Sequence, residues 1–291
     1  MHHPVMLNEV LDFLDLKPGK VVLDATLGGA GHSKEILKKI MPGGMLLGCD
    51  TDPAAVIRAG ESLKDFTGSF KLAKSNFRHL GEVLDREGID KVDAALFDIG
   101  ISSYQMDEAA RGFSIKNSGP LDMRMDPGIK VSARDIVNRL REEELSEIIK
   151  DLGEERFYRR IARAIVEQRR EKKIETTEEL ASVIYRAVGG RRGKLDPATR
   201  TFQAIRIAVN DELGALREGL EQIVTRLNTG GRLAVISFHS LEDRIVKNKF
   251  KEYSAGGLVR ILTKKPVRPT DAEVADNPRS RSGRLRVAER I

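Results

Sequence analysis

Residues 21–33 read VVLDATLGGAGHS, and this stretch determines the expected fold. Its apolar start predicts a buried strand that ends at Asp24, and a helical period begins after the glycine-rich turn from Gly28 to Gly31. Glycines at a strand-to-helix turn let a ligand approach the backbone, and a helix start offers N–H groups to an anion. The turn alone does not establish a site, since a tight turn without a ligand has the same pattern.

Short apolar runs alternate with helical patterns on both sides of this stretch, which is typical of a parallel sheet wrapped by helices. An amphipathic helix is expected near residues 7–14. Strands are expected at residues 21–23, 45–49, 70–73, 94–97, 232–238, 259–262 and 285–288. A loop rich in proline, arginine and serine is expected at residues 264–282.

Residues 113–213 differ from this alternation because they are rich in charge and helical period. An apolar stripe there includes Leu140, Leu145, Ile149 and Leu152. We therefore predict an α/β fold in which residues 1–112 and 214–291 form a Rossmann-like domain, with an all-helical domain inserted at residues 113–213.

Composition narrows the class of protein. Hydrophobic residues make up 40% and charged residues 32% of the 291 positions, which describes an ordinary globular protein. No signal segment or long apolar stretch is present, so a cytoplasmic location is expected and a membrane partner is not. The single cysteine, Cys49, excludes an internal disulfide, and the scattered histidines do not predict a metal site. A net charge of +6 favours a polyanionic partner.

Acidic residues end two further predicted strands. Asp50 follows the glycine-rich turn by roughly 20 residues, where a carboxylate in a Rossmann-like fold accepts hydrogen bonds from ribose hydroxyls. NAD and S-adenosylmethionine (SAM) both contain this ribose, but Lys34 stands where the dinucleotide fingerprint has its third glycine. Asp98 suits the ammonium and sulfonium of SAM and would repel a pyrophosphate. Phe77 is equally consistent with adenine packing and with a place in the core. The pattern therefore favours SAM.

Longer motifs across nearly the whole chain resemble those of the RsmH (MraW) family of small-subunit ribosomal RNA cytosine-N4 methyltransferases. The matching segments are residues 3–7 (HPVML), 24–33 (DATLGGAGHS), 98–105 (DIGISSYQ), 119–126 (GPLDMRMD), 199–206 (TRTFQAIR), 210–213 (NDEL), 237–244 (SFHSLEDR) and 277–282 (NPRSRS). One departure is Tyr104, where a proline often follows such a serine pair. Together these segments are specific to the family.

The resemblance implies a class I SAM-dependent methyltransferase fold with a helical domain inserted after the fourth strand. It implies methylation of a cytidine N4 in the decoding centre of 16S ribosomal RNA, with the small ribosomal subunit or its RNA as the partner. The SAM contacts that it implies are Ala30, Gly31, His32, Asp50, Phe77, Asp98 and Gln105.

The expected acceptor is a poor nucleophile, because the lone pair of cytosine N4 is delocalised into the ring. Groups that accept hydrogen bonds from the amino protons would favour the electron-rich nitrogen of the transition state. We expect Asp98 to orient the amine while a backbone carbonyl near Ile99 or Gly100 accepts a hydrogen bond from one of its N–H groups. Tyr104 is expected to stack on a base turned out of its helix.

Two further catalytic candidates have open roles. Ser102 fits either the reaction or a structural serine turn. His239 follows the fifth predicted strand and is equally consistent with substrate contact and with helix capping.

Basic residues suggest RNA contacts in two places. Arg191, Arg192 and Lys194 lie beside glycines with few acidic neighbours, so phosphate contact is expected there. Arg279 and Arg281 form a C-terminal cluster.

Two other groups of arginines are ambiguous. Arg284 and Arg286 extend the C-terminal cluster if they lie on the exposed side of a strand. Residues 156–170 carry arginines at helical spacing among glutamates, which is equally consistent with an RNA-binding face and with a solvated, salt-bridged face.

Three other functions remain as alternatives. A DNA amino-methyltransferase is the nearest, and an NAD-dependent enzyme is more distant. A catalytically silent RNA-binding assembly factor is the alternative from another class, although a pure binding module does not need Gly31, Asp50 and Asp98 together. SAM binding separates these classes.

Overall fold

The structure is a computed structural model that describes residues 4–190 and 196–291. Within these residues, one sheet contains seven strands, ordered β3-β2-β1-β4-β5-β7-β6. The strands are β1 (Val21–Asp24), β2 (Met45–Asp50), β3 (Phe70–Lys74), β4 (Val92–Asp98), β5 (Leu227–Ser237), β6 (Val259–Ile261) and β7 (Arg284–Arg290). The predicted strands are all confirmed, although β4 and β5 begin earlier than expected.

The first five strands are parallel, and the last two close one edge of the sheet. Val22 pairs with Leu46 on one side and with Ala94 on the other, so β1 lies in the interior of the sheet. β7 runs antiparallel to both β5 and β6. Because β1, β2 and β4 are parallel neighbours, their carboxyl ends meet at the same edge.

The helices lie between these strands and in the long segment between β4 and β5. They are α1 (Leu7–Leu14), α2 (Gly31–Ile40), α3 (Pro53–Ser62), α4 (Leu80–Arg86), α5 (Ser103–Asp107), α6 (Ala133–Arg139), α7 (Glu142–Gly153), α8 (Tyr158–Glu171), α9 (Thr177–Val188), α10 (Thr199–Asn210), α11 (Glu212–Thr225), α12 (Ser240–Ala255) and α13 (Asp271–Asp276). The described helices include none with the length and apolar character needed to span a membrane.

The chain divides into two compact units. The sheet unit consists of the residues up to Gly100 together with Leu213–Ile291, and the helical unit consists of Ile101–Glu212. The helical unit therefore includes the segment from the end of β4 to residue 112, which the sequence assigned to the sheet domain.

Each unit has its own hydrophobic core. Val22, Leu46 and Ile236 are fully buried in the sheet unit. In the helical unit, Leu145 and Ile149 of the predicted stripe are fully buried, whereas Leu140 is only partly buried against that core. Burying each such side chain contributes about 1.5–3 kcal/mol, so either core can hold its helices in place.

Local signals in the sequence explain where several helices begin. Asp52 accepts a hydrogen bond from the Ala54 amide and Pro53 occupies the first turn, which starts α3. Thr176 and Glu179 form a reciprocal capping box at the start of α9.

Two predictions outside the site have clear outcomes. Cys49 is fully buried, and burial together with the Asp24 and Asp50 carboxylates raises the pKa of its thiol to about 12.

The loop expected at residues 264–282 instead contains α13 and a 3₁₀ turn at Pro278–Ser282. Thr270 caps α13 by accepting a hydrogen bond from the Glu273 amide.

Candidate active site at the carboxyl end of the sheet

The glycine-rich turn joins β1 to α2 and leaves the start of α2 without a side-chain cap. Gly28 has a φ of 50° and Ala30 a φ of 60°, so both lie in the left-handed region. A residue with a Cβ adopts this conformation at a cost of about 1–2 kcal/mol, and such strain is found mostly at binding sites. The backbone amides in the first turn of α2 therefore face a position suited to an anionic group.

The N-terminal segment packs against this turn. A Cβ on Gly31 would lie 2.6 Å from Pro4 Cγ, so the position requires glycine. His32 Nε2 donates to the Val5 carbonyl at 3.0 Å. Pro4 and Val5, which belong to a segment that resembles the family, therefore hold the glycine-rich turn in place.

Asp24, at the end of β1, binds residues on both sides of the glycine-rich turn. It is almost fully buried, and its carboxylate accepts hydrogen bonds from Thr26 N at 3.1 Å and from Ser33 Oγ at 2.6 Å. Burial raises the pKa of Asp24, and these hydrogen bonds oppose that rise. The sequence analysis did not propose Asp24 as a site residue. Its place at the end of β1, matching those of Asp50 and Asp98, was the available signal.

Asp50 connects the end of β2 to the glycine-rich turn. Its Oδ2 accepts from Gly28 N at 2.8 Å and its Oδ1 from Asp52 N at 2.9 Å. Burial raises the pKa of Asp50 to about 6, although the two amide hydrogen bonds oppose the rise. Each carboxylate oxygen has a second lone pair, so Asp50 can still accept from a ligand hydroxyl.

Of the three aspartates, Asp98 is the one with a carboxylate oxygen that lacks a hydrogen-bond donor among the described residues. Its amide donates to Thr26 Oγ1 at 2.7 Å, and its Oδ2 lies 3.6 Å from His32 Nδ1. The other oxygen, Oδ1, is buried and has no hydrogen-bond donor among the described residues. Burial is the main reason that the pKa of Asp98 rises to about 8, and the nearby charges of Asp24 and Glu242 add to the rise.

His239 and Glu242 form the start of α12. His239 Nδ1 accepts from the Glu242 amide at 3.4 Å, and His239 Nε2 lies 3.0 Å from Glu242 Oε1. Glu242 Oε2 in turn accepts from the Phe238 amide at 2.8 Å. Helix capping, one of the two roles left open for His239, is therefore its observed role. The fully buried Glu242 is a second acid of the site that the sequence analysis did not select.

Phe77 follows β3 and remains partly exposed. Its ring centroid lies 5.8 Å from that of Phe97 with the rings tilted by 58°, so one part of the ring contacts the core of the sheet unit. The two roles predicted for Phe77 are therefore compatible, since the remaining part can pack against a ligand.

Ser102, Tyr104 and Gln105 belong to the helical unit. The Ser102 hydroxyl accepts from the Gln105 amide at 3.2 Å, and Gln105 Oε1 accepts from the Ser102 amide at 3.1 Å, so the pair forms a capping box for α5. The observed role of Ser102 is thus the structural turn. Tyr104 is 44% exposed, which leaves its ring accessible for stacking.

The predicted RNA contacts have different outcomes. Arg191, Arg192 and Lys194 lie outside the described residues. Arg279 and Arg281 are exposed on the 3₁₀ turn that precedes β7. Extending this cluster to Arg284 and Arg286 is not supported, because Arg286 is buried and its guanidinium pairs with the Asp243 carboxylate at 2.6 Å. Arg284 is partly buried and lies 3.8 Å from the same carboxylate.

Three aspartates, Asp24, Asp50 and Asp98, therefore lie at the carboxyl ends of neighbouring strands of the sheet. Among the described residues, no lysine or arginine pairs with Asp24, Asp50 or Asp98. The described residues also hold no cluster of side chains suited to a metal ion. A ligand that brings positive charge to Asp98 and hydroxyl donors to Asp50 would satisfy this site.

Comparison with known proteins gives a consistent result. The chain matches the model of the MraW methylase family over residues 1–291. Three curated relatives share the name "Ribosomal RNA small subunit methyltransferase H". The protein of Geobacter sulfurreducens is 50% identical over 100% of this chain and 99% of its own length, that of Persephonella marina is 49% identical with the same coverage, and that of Clostridioides difficile is 46% identical with the same coverage.

Proposed function

The chain belongs to the MraW methylase family, and on that premise we propose that this SAM-dependent methyltransferase methylates the N4 of a cytidine in the decoding centre of 16S ribosomal RNA. Its partner would be the small ribosomal subunit or the RNA of that subunit, in the cytoplasm. The helical unit would recognise the substrate.

The observation that carries the proposal is the buried, unsatisfied Oδ1 of Asp98 beside Asp24 and Glu242. A carboxyl group in this position is stabilised by a cationic ligand. SAM is cationic at its sulfonium and ammonium groups, whereas the pyrophosphate of NAD is anionic. The residues that we propose to hold SAM are Ala30, Gly31, His32, Asp50, Phe77, Asp98 and Gln105.

When bound, SAM supplies an electrophilic methyl group on a sulfonium. The residues of this chain have the task of aligning the acceptor amine and of accepting its hydrogen bonds. Ionised Asp98 can accept a hydrogen bond from one N4–H, and a backbone carbonyl at Ile99 or Gly100 can accept a hydrogen bond from the other. Tyr104 is proposed to stack on the cytosine ring.

An acceptor assay tests the proposal. The protein is incubated with methyl-labelled SAM and, separately, with undermethylated small subunits, protein-free ribosomal RNA and DNA, and the modified nucleoside is identified by mass spectrometry. We expect N4-methylated cytidine in ribosomal RNA. Label found only in DNA would support the amino-methyltransferase alternative, and SAM binding without transfer to any acceptor would support the silent assembly factor.

SAM affinity is expected to depend on pH because binding requires ionised Asp98. The pKa of this group is about 8 in the ligand-free protein, so it is mainly protonated at pH 7 and binding a cation beside it releases a proton. The dissociation constant should fall by roughly tenfold for each pH unit as pH rises toward 8, and then level off. Calorimetry in buffers of different ionisation enthalpy measures the released proton. The Asp98→Asn protein is the control and should release fewer protons at pH 7.

Replacing Asp50 with alanine is expected to weaken SAM binding by about 10- to 100-fold. The change removes the acceptor for the Gly28 amide, so the glycine-rich turn loses its link to β2, and it also removes the proposed ribose acceptor. Fluorescence or calorimetric titration with SAM provides the measurement. Asp12→Ala removes the same charge from an exposed position of α1 and should bind SAM normally. Equal affinity of the Asp50→Ala and wild-type proteins would remove Asp50 from the site.

A further inference from the structure

The start of α8 carries a cluster of exposed arginines around two aromatic rings. We propose that this arginine–aromatic patch, defined as Arg156, Phe157, Tyr158, Arg159 and Arg160, binds the phosphates and an unpaired base of the substrate RNA. The inference rests on the proposed function, and it adds a binding surface to the helical unit that the sequence left ambiguous.

The guanidinium groups of the patch are held on aromatic faces. The Arg156 guanidinium carbon lies 4.5 Å from the centroid of the Phe157 ring, and that of Arg160 lies 5.8 Å from the same centroid. Arg159 lies 5.3 Å from the centroid of the Tyr158 ring. Two like charges therefore share a single ring, which requires a favourable contact or a counter-charge to offset their repulsion.

The arginines of the patch differ from the salt-bridged arginines of the helical unit, such as Arg134 and Arg163, in having no carboxylate partner among the described residues. Farther along α8, the Arg163 guanidinium contacts Glu167 Oε1 at 2.8 Å, and the Arg169 guanidinium donates to the carbonyls of Val137 and Leu140. Among the described residues, no carboxylate pairs with the guanidinium groups of Arg156, Arg159 and Arg160. A salt-bridged face, the alternative for residues 156–170, thus describes the middle of α8 and not its start.

Few acidic residues lie beside the patch in the sequence. Glu155 is buried, and its carboxylate accepts from the Phe157 amide at 2.9 Å. Glu154 is the one exposed acid of the sequence between residues 153 and 160. Arg200 adds a further cation by donating to the Glu154 carbonyl at 3.1 Å. Within residues 154–160, exposed arginines therefore outnumber exposed acidic residues.

The position of the patch on the helix increases its attraction for anions. Arg159 and Arg160 lie in the first turn of α8, which contains no acidic residue. Cations at a helix N-terminus are disfavoured by the helix dipole, by about 0.3–1 kcal/mol each. The fold thus concentrates positive potential at one point, as a phosphate-binding surface requires.

RNA fits this chemistry better than a protein partner does. A guanidinium matches a phosphate in two parallel hydrogen bonds, and stacked guanidinium and aromatic planes accept unpaired bases on their faces. Affinity that derives from phosphates weakens with salt in proportion to the number of contacts. The salt dependence of binding is therefore the property that identifies the partner.

The test compares two double variants with equal loss of charge. Arg156→Gln/Arg160→Gln removes two guanidinium groups of the patch, and Arg139→Gln/Arg141→Gln removes two exposed guanidinium groups of the same unit that already pair with Asp135 and Glu144. Glutamine has nearly the helix propensity of arginine, so folding should be preserved. Equilibrium binding to small subunits and to protein-free ribosomal RNA is measured between about 50 and 300 mM KCl, the range over which such contacts weaken.

We expect the patch variant to bind both forms of RNA at least tenfold more weakly at about 150 mM salt, with a slope of log K against log[KCl] that is smaller by about 1.5. The control variant should keep the wild-type slope. An unchanged slope in the patch variant would overturn the proposal. Weaker binding to subunits together with wild-type binding to protein-free RNA would overturn it in favour of a ribosomal protein as the partner.

Failure of this inference is distinguishable from failure of the proposed function. The binding measurement needs no methyl transfer, and the acceptor assay with the wild-type protein tests transfer separately. If the wild-type protein methylates ribosomal RNA and the patch variant has the wild-type slope, only the patch is excluded.

Discussion

Replacing Asp98 with asparagine is expected to slow methyl transfer by about 10²- to 10³-fold or more while making the folded protein more stable. The amide has the shape of the carboxyl group, but it lacks the charge that we propose to hold the cationic cofactor and orient the acceptor amine. Single-turnover methylation of small subunits at saturating SAM measures the transfer step, and a SAM titration separates transfer from binding. Normal SAM affinity together with normal turnover would remove Asp98 from both roles.

The gain in stability follows from the direction of the pKa shift. The pKa of Asp98 is about 8 in the folded protein, whereas a solvated aspartate, as in the unfolded chain, has a pKa of 3.8. Between these pH values, Asp98 is ionised in the unfolded chain and protonated in the folded protein. The wild-type protein therefore loses stability as pH rises from about 4 to 8. The stability of Asp98→Asn relative to the wild type should therefore increase from pH 4 to pH 8. At pH 8 its Tm should be higher by on the order of 5 °C.

A second aspartate of β4 provides a control of opposite sign. Asp93 accepts from the Val21 amide at 2.8 Å, and its hydrogen bonds from Val21, Asn228 and Lys20 lower its pKa despite partial burial. A lowered pKa contributes stability that is present above about pH 4 and is lost as pH falls. Asp93→Asn should therefore destabilise the protein at pH 7. If both variants shift Tm in the same direction at pH 7, the assignment of Asp98 as a strained acid is wrong.

Replacing Gly119 with alanine is expected to destabilise the helical unit by about 3 kcal/mol or more. A Cβ at this position would lie 1.9 Å from the Ala109 carbonyl oxygen and 2.7 Å from its carbon, so the backbone itself would have to move. The Gly119 carbonyl oxygen accepts a hydrogen bond from the Thr177 amide at 3.0 Å, and Pro120 forms an isolated β-bridge with Thr176. Displacing Gly119 thus disturbs the start of α9 as well.

Chemical denaturation combined with limited proteolysis measures this effect. We expect cleavage sites within the helical unit to become accessible at lower denaturant concentration. Gly128→Ala is the matched control in the same unit, because the atoms nearest to its Cβ would be side-chain atoms of Asp126, the closest being Oδ1 at 3.2 Å, and not backbone atoms. The control should change the free energy of unfolding by no more than about 0.5 kcal/mol. Equal stability of the two variants would contradict the predicted clash.

The fold was largely predictable because its elements carry strong local signals. The buried strands β1, β2 and β4 are continuous apolar runs, and the helix from Leu7 to Leu14 has a clear period. The strand β7 was predicted but its antiparallel direction was not, since an apolar run does not encode the direction of its pairing. The short helix α13 has one large apolar side chain, Val274, which is too little to produce a visible period.

The sequence could predict candidate site residues to the extent that position in the chain determines chemistry. Asp50 and Asp98 were selected because each ends a predicted strand, and the structure places both at strand ends. Glu242 was not found, because its importance depends on burial beside Asp98, which no spacing reveals. Ser102 and His239 show the converse case. Both have reactive groups, and the structure adds that each caps a helix by accepting a hydrogen bond from a nearby amide. Their contact with substrate stays a prediction.

The buried thiol of Cys49 has a practical consequence for experiments on this protein. It is the one cysteine of the chain, and with a pKa of about 12 it forms almost no thiolate at neutral pH. Maleimide dyes and spin labels react with thiolates, so the native chain should remain unlabelled. A single cysteine introduced at an exposed position would then carry the sole probe, and movements of the helical unit during RNA binding could be followed without first removing a native thiol.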